Sequence, residues 1–360
     1  MNTALRDLGL TSPVVAAPMA GGPSTPKLVL AAASVGSLAF LAGGYRTADV
    51  LAEQITSVRA SAGARPFGVN LFAPNPVPVD PAAFRRYAAT LQAEADEFGL
   101  DLRDATPVED DDHWADKIAL LLADPVAVAS FTFGIPPADT VAALRRAGTL
   151  VVQTVTSADE AKLAEAAGAD MLAVQAASAG GHSGTLTPER LPVDIPLTEL
   201  LAQVRAAVAL PLLGAGGLAT PAAVTGALAA GAEAVLVGTV LLRADESGTN
   251  QPYRTALADP ARRDAAQSDA AHSDTGHSDT VVTRAFTGRP ARALRNRFTE
   301  RYSDLAPGGY PALHHLTSPL RKASIAAGDP ERVNLWAGTG YRHATAEPAA
   351  DILARLAGQT

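Results

Sequence analysis

The chain of 360 residues contains no cysteine. Disulfides, thiolate metal sites, iron–sulfur clusters and a cysteine nucleophile are therefore excluded. Basic residues are also in deficit, with 29 Lys and Arg against 37 Asp and Glu and a formal net charge of −8. This balance argues against a chain-wide nucleic-acid surface. Aromatic residues make up only 5% of the chain, whereas 48% is hydrophobic, which indicates a globular protein built from small residues.

Signals for targeting, membranes and metals are absent as well. The first twelve residues precede no apolar core with a small-residue cleavage site. The nearly uncharged stretch 28–44 is interrupted by glycine and serine and is short for a membrane helix of ~20 residues. The sequence has no zinc signature, no Gly-x-x-x-x-Gly-Lys phosphate loop and no Gly-x-Ser-x-Gly elbow. We therefore expect a cytoplasmic protein with no membrane segment and no bound metal.

Short apolar runs alternate along the chain with Ala-rich helical stretches such as 26–35, 158–167 and 221–230. Continuous apolar runs are typical of parallel strands that are covered on both faces. Strands are predicted at 14–19, 38–42, 67–72, 126–133, 150–155, 171–175, 210–214 and 234–242. Eight strands separated by helices predict an α/β protein with a TIM (β/α)8 barrel, and the alternative is an open doubly wound sheet.

Two stretches do not fit a minimal barrel. The connection after the third strand is long and contains two helical patterns around the acidic run 109–112, and a further region follows the last strand. The predicted parts are a barrel from 1–72 and 123–245, a helical excursion at 73–122 and a C-terminal helical or lid region at 246–360. Within the last part, the Ser-Asp and His-Ser-Asp-Thr repeats at 264–280 predict a flexible loop. We interpret His272 and His277 there as low-complexity residues rather than metal ligands.

Glycines mark the ends of the seventh and eighth strands. The run from Gly214 to Gly217 precedes Thr220-Pro221, and Gly238-Thr239 ends the last strand. Backbone N–H groups at a helix start bind anions, and TIM barrels commonly hold phosphate with these two loops. The sequence therefore predicts a phosphate clamp formed by Gly216, Gly217, Gly238 and Thr239.

Three polar residues mark other strand ends. His182 follows the sixth strand among glycines, so we expect it to be displayed over a cleft, where an imidazole can exchange protons near neutral pH. Asn70 and Gln175 interrupt apolar strands and would suit the edge of a flavin or nucleobase, and the alternative is that they cap buried backbone. The first strand ends in small residues that would let a flat ring approach the backbone.

Taken together, these motifs resemble those of the nitronate monooxygenases, formerly called 2-nitropropane dioxygenases, and of their class I group in particular. The resemblance covers nearly the whole chain. It rests on 17–26, Gly44-Tyr45, 69–72, 179–182, 214–217, 237–239, 283–292 and 335–338.

The resemblance implies an FMN-binding TIM barrel that oxidises small anionic nitronates, above all propionate 3-nitronate, with dioxygen to a carbonyl compound and nitrite. It implies that His182 is the active-site histidine and that Met19, Ala20 and Gly21 lie by the flavin ring. The further residues expected to hold FMN are Asn70, Gln175, Gly180, Gly181, Gly216, Gly217, Val237, Gly238, Thr239 and Val240. Protonated His182 would pair with the nitronate, whereas neutral His182 would take a proton from a nitroalkane.

The sequence leaves two other functions open. An FMN-dependent enoyl-ACP reductase that uses NAD(P)H shares the glycine-rich pattern, and a non-redox phosphate-binding barrel enzyme is the alternative from another class. The chain also departs from the family at Ser178, where a glutamate is usual. Tyr302, Tyr310 and Lys322 are candidates for a lid, and His314-His315 are interpreted as structural or lid residues. The oligomeric state stays open.

Overall fold

The computed structural model describes residues 3–259 and 279–359 and contains a sheet of eight parallel strands. These strands are β1 (Val14–Ala16), β2 (Phe40–Ala42), β3 (Gly68–Ala73), β4 (Val128–Phe133), β5 (Leu150–Val155), β6 (Met171–Gln175), β8 (Leu212–Ala215) and β9 (Ala234–Val237). They lie in the order β1-β9-β8-β6-β5-β4-β3-β2. A bridge between Ala16 and Ala39 joins the two ends of this order, so the barrel is nearly closed. The TIM-barrel prediction is confirmed, and the open-sheet alternative is wrong.

Helices separate the strands and cover the barrel. They are α1 (Thr3–Asp7), α2 (Pro26–Ser34), α3 (Ala48–Ala62), α4 (Pro81–Asp96), α5 (Trp114–Ala123), α6 (Ala138–Arg146), α7 (Ala158–Ala166), α8 (Leu197–Ala207), α9 (Pro221–Ala229), α10 (Gln251–Ala258), α11 (Arg297–Tyr302), α12 (Ala312–Ala326) and α13 (Ala349–Leu356). Thr25 and Thr220 cap α2 and α9 by accepting a backbone N–H, and a proline follows each cap. Among the described residues, no helix is both long and apolar enough to cross a membrane.

A second, antiparallel sheet lies outside the barrel. It is formed by β7 (Gly181–His182), β10 (Thr280–Thr283) and β11 (Ala291–Leu294), in the order β10-β11-β7. In its register Ala291 pairs with His182 and Arg292 pairs with Gly181. The segment after the last barrel strand therefore returns to bind the glycine-rich loop that follows β6.

The predicted excursion contains α4 and α5. Phe84, Tyr87 and Leu91 of α4 pack with Phe286 and Leu313 from the C-terminal region into one apolar cluster. A second cluster of buried apolar side chains fills the barrel interior. The largest cluster lies between the barrel strands and the helices that cover them. The division of the chain into barrel, excursion and C-terminal region stays a prediction, but the excursion and the C-terminal region share a core.

Two predicted segments have different bounds in the structure. The predicted last strand 234–242 ends at Val237, because a short 3-10 helix, Thr239–Leu241, follows Gly238. Most of the predicted loop 264–280, with His272 and His277, lies outside the described residues. Thr280 is described and begins β10, so the loop prediction extends too far at that end.

Glu94 of α4 joins the excursion to the C-terminal region through a buried ion cluster. Its side chain is 1% exposed and contacts Arg332, Arg297 at 3.0 Å and Arg301 at 2.7 Å. Burial by itself raises the pKa of Glu94, but the hydrogen bond and charge of Arg332, together with Arg297, lower it below its usual value. The carboxylate is therefore ionised at neutral pH and neutralises a largely buried guanidinium, since Arg332 is 5% exposed.

We predict that Glu94→Gln lowers the free energy of unfolding by about 3 kcal/mol, because it leaves Arg332 buried without its main partner. Urea unfolding at pH 7 measures this loss. Because the native pKa of Glu94 is lowered, the wild-type contribution is present at neutral pH and lost as the pH falls through the carboxylate range. Glu97→Gln is the matched control: its carboxylate also contacts Arg332 but is 56% exposed, so about 1 kcal/mol or less is expected. Equal losses in the two variants would contradict this account.

Candidate active site

A cavity of about 670 Å³ lies at the carboxyl ends of the barrel strands. This volume falls within the ~300–1,000 Å³ of typical small-molecule and cofactor sites. Every residue predicted to bind or act lines it: Met19, Ala20, Gly21, Asn70, Gln175, Gly180, Gly181, His182, Gly216, Gly217, Val237, Gly238, Thr239 and Val240. The structure thus brings the predicted set together in one place, while the ligand roles of these residues stay predictions.

His182 is held at the cavity wall from several sides. Its backbone pairs with Ala291 in the second sheet, and its carbonyl accepts a hydrogen bond from the Gln175 amide at 3.1 Å. On the imidazole, Nε2 lies 2.9 Å from the Thr287 hydroxyl. The ring packs between Phe133 and Trp336, with a centroid distance of 5.1 Å to the indole. These contacts fix the position of the imidazole before any ligand binds.

The surroundings of His182 oppose its protonation. Burial, together with the charges of Arg289 and Arg321, lowers its pKa to about 3. The imidazole is therefore neutral at pH 7. Of the two ionisation states considered from the sequence, the structure supports the neutral one, so a positive charge for an anionic ligand must come from another residue.

The two glycine loops after β8 and β9 bring backbone close to the cavity. Gly216 and Gly217 have φ values of +117° and +70°, which a residue with a side chain adopts only under strain. Within the described residues, the N–H groups of Gly216, Gly217, Gly238 and Thr239 have no hydrogen-bond acceptor. The Thr239 hydroxyl accepts the N–H of Gly338 at 3.0 Å, which leaves its own hydrogen available for a ligand. These donors form a cradle suited to an anion.

The cradle differs in detail from the predicted helix N-termini. The Thr220 side chain already caps the Ala223 N–H of α9, and Pro221 has no N–H to offer. Only a three-residue 3-10 helix follows Gly238. The available donors therefore belong to loop backbone rather than to a helix end.

Asn70 and Gln175 have distinct roles in the wall. The Asn70 Nδ2 donates to the Ser130 carbonyl at 3.2 Å, which fixes the amide orientation and leaves Oδ1 without a donor among the described residues. Gln175 uses one N–H on the His182 carbonyl and its oxygen on the Gly184 N–H at 2.7 Å. Asn70 thus offers an acceptor to the cavity, whereas Gln175 mainly holds the loop that carries His182.

Several lining residues were not singled out from the sequence. The excursion contributes Asp110, Asp112 and His113, and α12 contributes Ser318 and Arg321. They lie on connecting segments outside the barrel strands, so no local pattern connects them to the strand ends. Of the predicted lid residues, Tyr310 and Lys322 line the cavity, as do His314 and His315. Tyr302 does not: its hydroxyl donates to Glu94 at 3.1 Å.

Two arginines give this side of the cavity a positive charge. Arg321 lines the cavity and is 9% exposed, and Arg289 lies behind Phe133 with its guanidinium 4.1 Å from the ring centroid. Within the described part of the chain, neither makes an ion pair with a carboxylate; their hydrogen bonds go to neutral groups. Asp110 and Asp112 also line the cavity, but Asp110 contacts His315 and Asp112 pairs with Lys117. The two arginines therefore favour an anionic ligand on their side of the cavity.

A TIM barrel with an electropositive cavity, a displayed imidazole and a glycine cradle at its strand ends defines a barrel enzyme. The model of the nitronate monooxygenase family matches residues 2–358. The nitronate monooxygenase of Pseudomonas aeruginosa is 35% identical over 368 residues, covering 98% of this chain and 97% of that protein. The chain belongs to the nitronate monooxygenase family, which comprises flavin-dependent oxidoreductases.

One solved structure agrees with this assignment, and a second shares the fold. The nitroalkane oxidase of Streptomyces ansochromogenes has a TM-score of 0.89 and 43% identity, covering 99% of this chain and 97% of that chain. FabK from Thermotoga maritima has a TM-score of 0.73 at 23% identity, covering 100% of this chain and 96% of that chain. At that identity, the second likeness shows the shared fold alone.

We predict that His182 stays neutral down to about pH 4 in protein from which any bound cofactor has been removed, because burial and two arginines lower its pKa to about 3. NMR of the histidine ring carbons across a pH titration measures this value. Since an unfolded histidine protonates near pH 6.5, His182 also makes the fold less stable as the pH falls below that value. A midpoint near 6.5 for the folded protein would contradict the proposed surroundings of the ring.

Proposed function

We propose that the chain catalyses the FMN-dependent oxidation of alkyl nitronates by dioxygen to a carbonyl compound and nitrite, with propionate 3-nitronate as the substrate to test first. Family membership supports the reaction class. The observation that carries the proposal is that one cavity combines unpaired backbone donors, a neutral imidazole and a guanidinium without a carboxylate partner.

The residues present fit FMN. The N–H groups of Gly216, Gly217, Gly238 and Thr239 would hold its phosphate, and the small residues Ala20 and Gly21 beside Met19 would leave room for the ring. A Cβ on Gly180 would lie 2.4 Å from the Gly338 nitrogen, so the wall tolerates no larger residue there. When bound, FMN supplies the electron acceptor that this oxidation needs, and the protein supplies placement and electrostatics.

The chain's own residues favour a substrate that is already anionic. Arg321 supplies the positive charge that attracts a nitronate, and neutral His182 supplies a hydrogen-bonding group to orient it. An imidazole whose conjugate acid has a pKa of about 3 is a weak base near neutral pH. His182 is therefore poorly suited to remove a proton from a neutral nitroalkane, and we propose the pre-formed nitronate as the substrate.

Aromatic side chains close the cavity around His182. Phe133 and Tyr310 contact each other at a centroid distance of 5.2 Å, and both lie beside the imidazole with Trp336. They limit the access of water to this part of the wall. Exclusion of water strengthens the attraction between Arg321 and an anionic substrate.

The direct test is nitrite release from propionate 3-nitronate by the purified, FMN-loaded protein with and without dioxygen. Oxygen-dependent nitrite supports the proposal. Rapid anaerobic bleaching of the flavin by NADH without nitrite formation would favour the enoyl reductase, and a protein that never takes up FMN would favour a non-redox barrel enzyme.

We predict that His182→Asn leaves FMN bound and lowers turnover of the nitronate by roughly 10²–10³-fold, as expected for loss of a positioned hydrogen-bonding group in the site. Steady-state nitrite assays with flavin content measured in parallel test this. His343→Asn is the control, because His343 is exposed and lies outside the cavity. Unchanged turnover of the His182 variant would remove this residue from the mechanism.

We predict that Gly217→Val lowers affinity for FMN by roughly tenfold or more, because a β-branched residue is strained at positive φ. Its Cβ would also lie 3.3 Å from the Ser178 hydroxyl. Titration of the cofactor-free protein with FMN, followed by flavin fluorescence, measures the dissociation constant. In the matched control Gly226→Val, the glycine lies in α9 with no atom within 4 Å of the added Cβ. Wild-type affinity in the Gly217 variant would show that the phosphate lies elsewhere.

A further inference from the structure

His314 lines the cavity but has no part in the proposed reaction so far, and it contacts Arg321 on the same helix, α12. The Arg321 guanidinium donates to the His314 carbonyl at 2.9 Å and lies 3.3 Å from the His314 Nδ1. A guanidinium has donors and no acceptor. The Nδ1 of His314 must therefore accept, and the proton of the neutral ring lies on Nε2.

Burial and the neighbouring charges keep the His314 ring neutral. Burial lowers its pKa well below the usual value, and the positive charge of Arg321 lowers it further, followed by His315, His182 and Lys322. From the loop before α3, Tyr45 stacks on the ring at a centroid distance of 4.1 Å. His314 is thus held in one tautomer and one ionisation state.

The ring plane is also fixed. Tyr45 lies parallel to the imidazole, with an interplanar angle of 1°, and its N–H donates to Asp112 at 2.9 Å. Asp112 in turn pairs with the buried Lys117 at 2.7 Å. Tyr45, which Asp112 of the excursion holds, therefore covers one face of the His314 ring, and Arg321 holds its Nδ1 edge. Its Nε2–H has no acceptor within the described residues, although His314 lines the cavity.

We propose that His314 and Arg321 form an anion-binding arm in which the His314 Nε2–H donates to an oxygen of the bound nitronate, while Arg321 fixes the donor tautomer and supplies the charge. His314 is a substrate-binding residue in this arrangement, and Arg321 is also a positioning residue. The identity of the anion rests on the proposed function, whereas the tautomer and the binding of a small anion do not.

A purely structural role for His314 and Arg321 would give different results in mutants. A histidine that serves only to pack α12 against Tyr45 needs no particular tautomer, and phenylalanine would replace it with little loss. The contact of Nδ1 with an obligate donor instead leaves the other ring nitrogen as the group available to the cavity. The two roles therefore predict different behaviour for His314→Phe and His314→Gln.

The first experiment requires no turnover. Nitrogen-15 NMR of histidine-labelled holoenzyme at pH 7 should show His314 with a protonated Nε2 and an unprotonated Nδ1. In Arg321→Met, the ring should gain a titration at higher pH than in the wild type, because the main neighbouring charge is gone. A protonated Nδ1, or an unchanged titration in Arg321→Met, would overturn the pairing.

The second experiment measures anion binding. Nitrite, which carries the same O–N–O group as a nitronate, is titrated into FMN-loaded protein by isothermal calorimetry. His314→Phe should weaken binding by roughly 10- to 100-fold, as expected for loss of a hydrogen bond to an anion, whereas His314→Gln should retain most of it. His343→Gln is the matched control outside the cavity. Equal affinity in wild type and His314→Phe would overturn the proposal.

Steady-state kinetics then test the binding role of His314 separately from the proposed reaction. With propionate 3-nitronate, His314→Phe should raise KM at least as much as it lowers kcat, because a binding contact is lost. A fall in kcat alone would contradict a binding role. Absence of nitrite release by the wild type would refute the proposed function, while the NMR and nitrite-binding results would still decide whether the arm exists.

Discussion

The antiparallel pairing of Gly181–His182 with Ala291–Arg292 is the contact on which the candidate site depends. The segment after β6 is rich in glycine and has little side-chain packing of its own. Strand pairing with a segment more than a hundred residues away fixes its backbone, and the Gln175 amide holds it to the end of β6. The imidazole is placed over the barrel mouth because the C-terminal region returns to this loop.

The C-terminal region, which pairs with the loop after β6, also supplies the charges of the site. Arg289 and Arg321 both come from the C-terminal region, and both place a guanidinium in low-dielectric surroundings with no carboxylate partner among residues 3–259 and 279–359. Such charges are costly unless a ligand neutralises them. Burial lowers the pKa of His182, these two charges lower it further, and they prepare the cavity for an anion. Binding charge and hydrogen-bonding group are therefore divided between different residues, rather than combined in a protonated histidine.

Much of this could be predicted from the sequence. Apolar runs such as 150–155 and 171–175 identify barrel strands because burial on both faces leaves no polar alternation, and β5 and β6 have these bounds. Glycine loops and His182 stand out because they follow such runs. His314 is predicted from the sequence only as a structural or lid residue, and Arg321 is not predicted at all, since a histidine and an arginine on an amphipathic helix have many ordinary uses. Their proposed role in anion binding follows from the packing of His314 against Tyr45, which the excursion holds. This is a long-range contact that no local sequence pattern encodes.

A crystal structure of the protein purified with its cofactor tests the central claim most directly. The account predicts electron density for the FMN phosphate between the loops of Gly217 and Gly238, with the flavin ring beneath the His182 imidazole and beside Met19. A cavity filled by protein side chains, a phosphate bound elsewhere, or an imidazole turned away from the ring would contradict it.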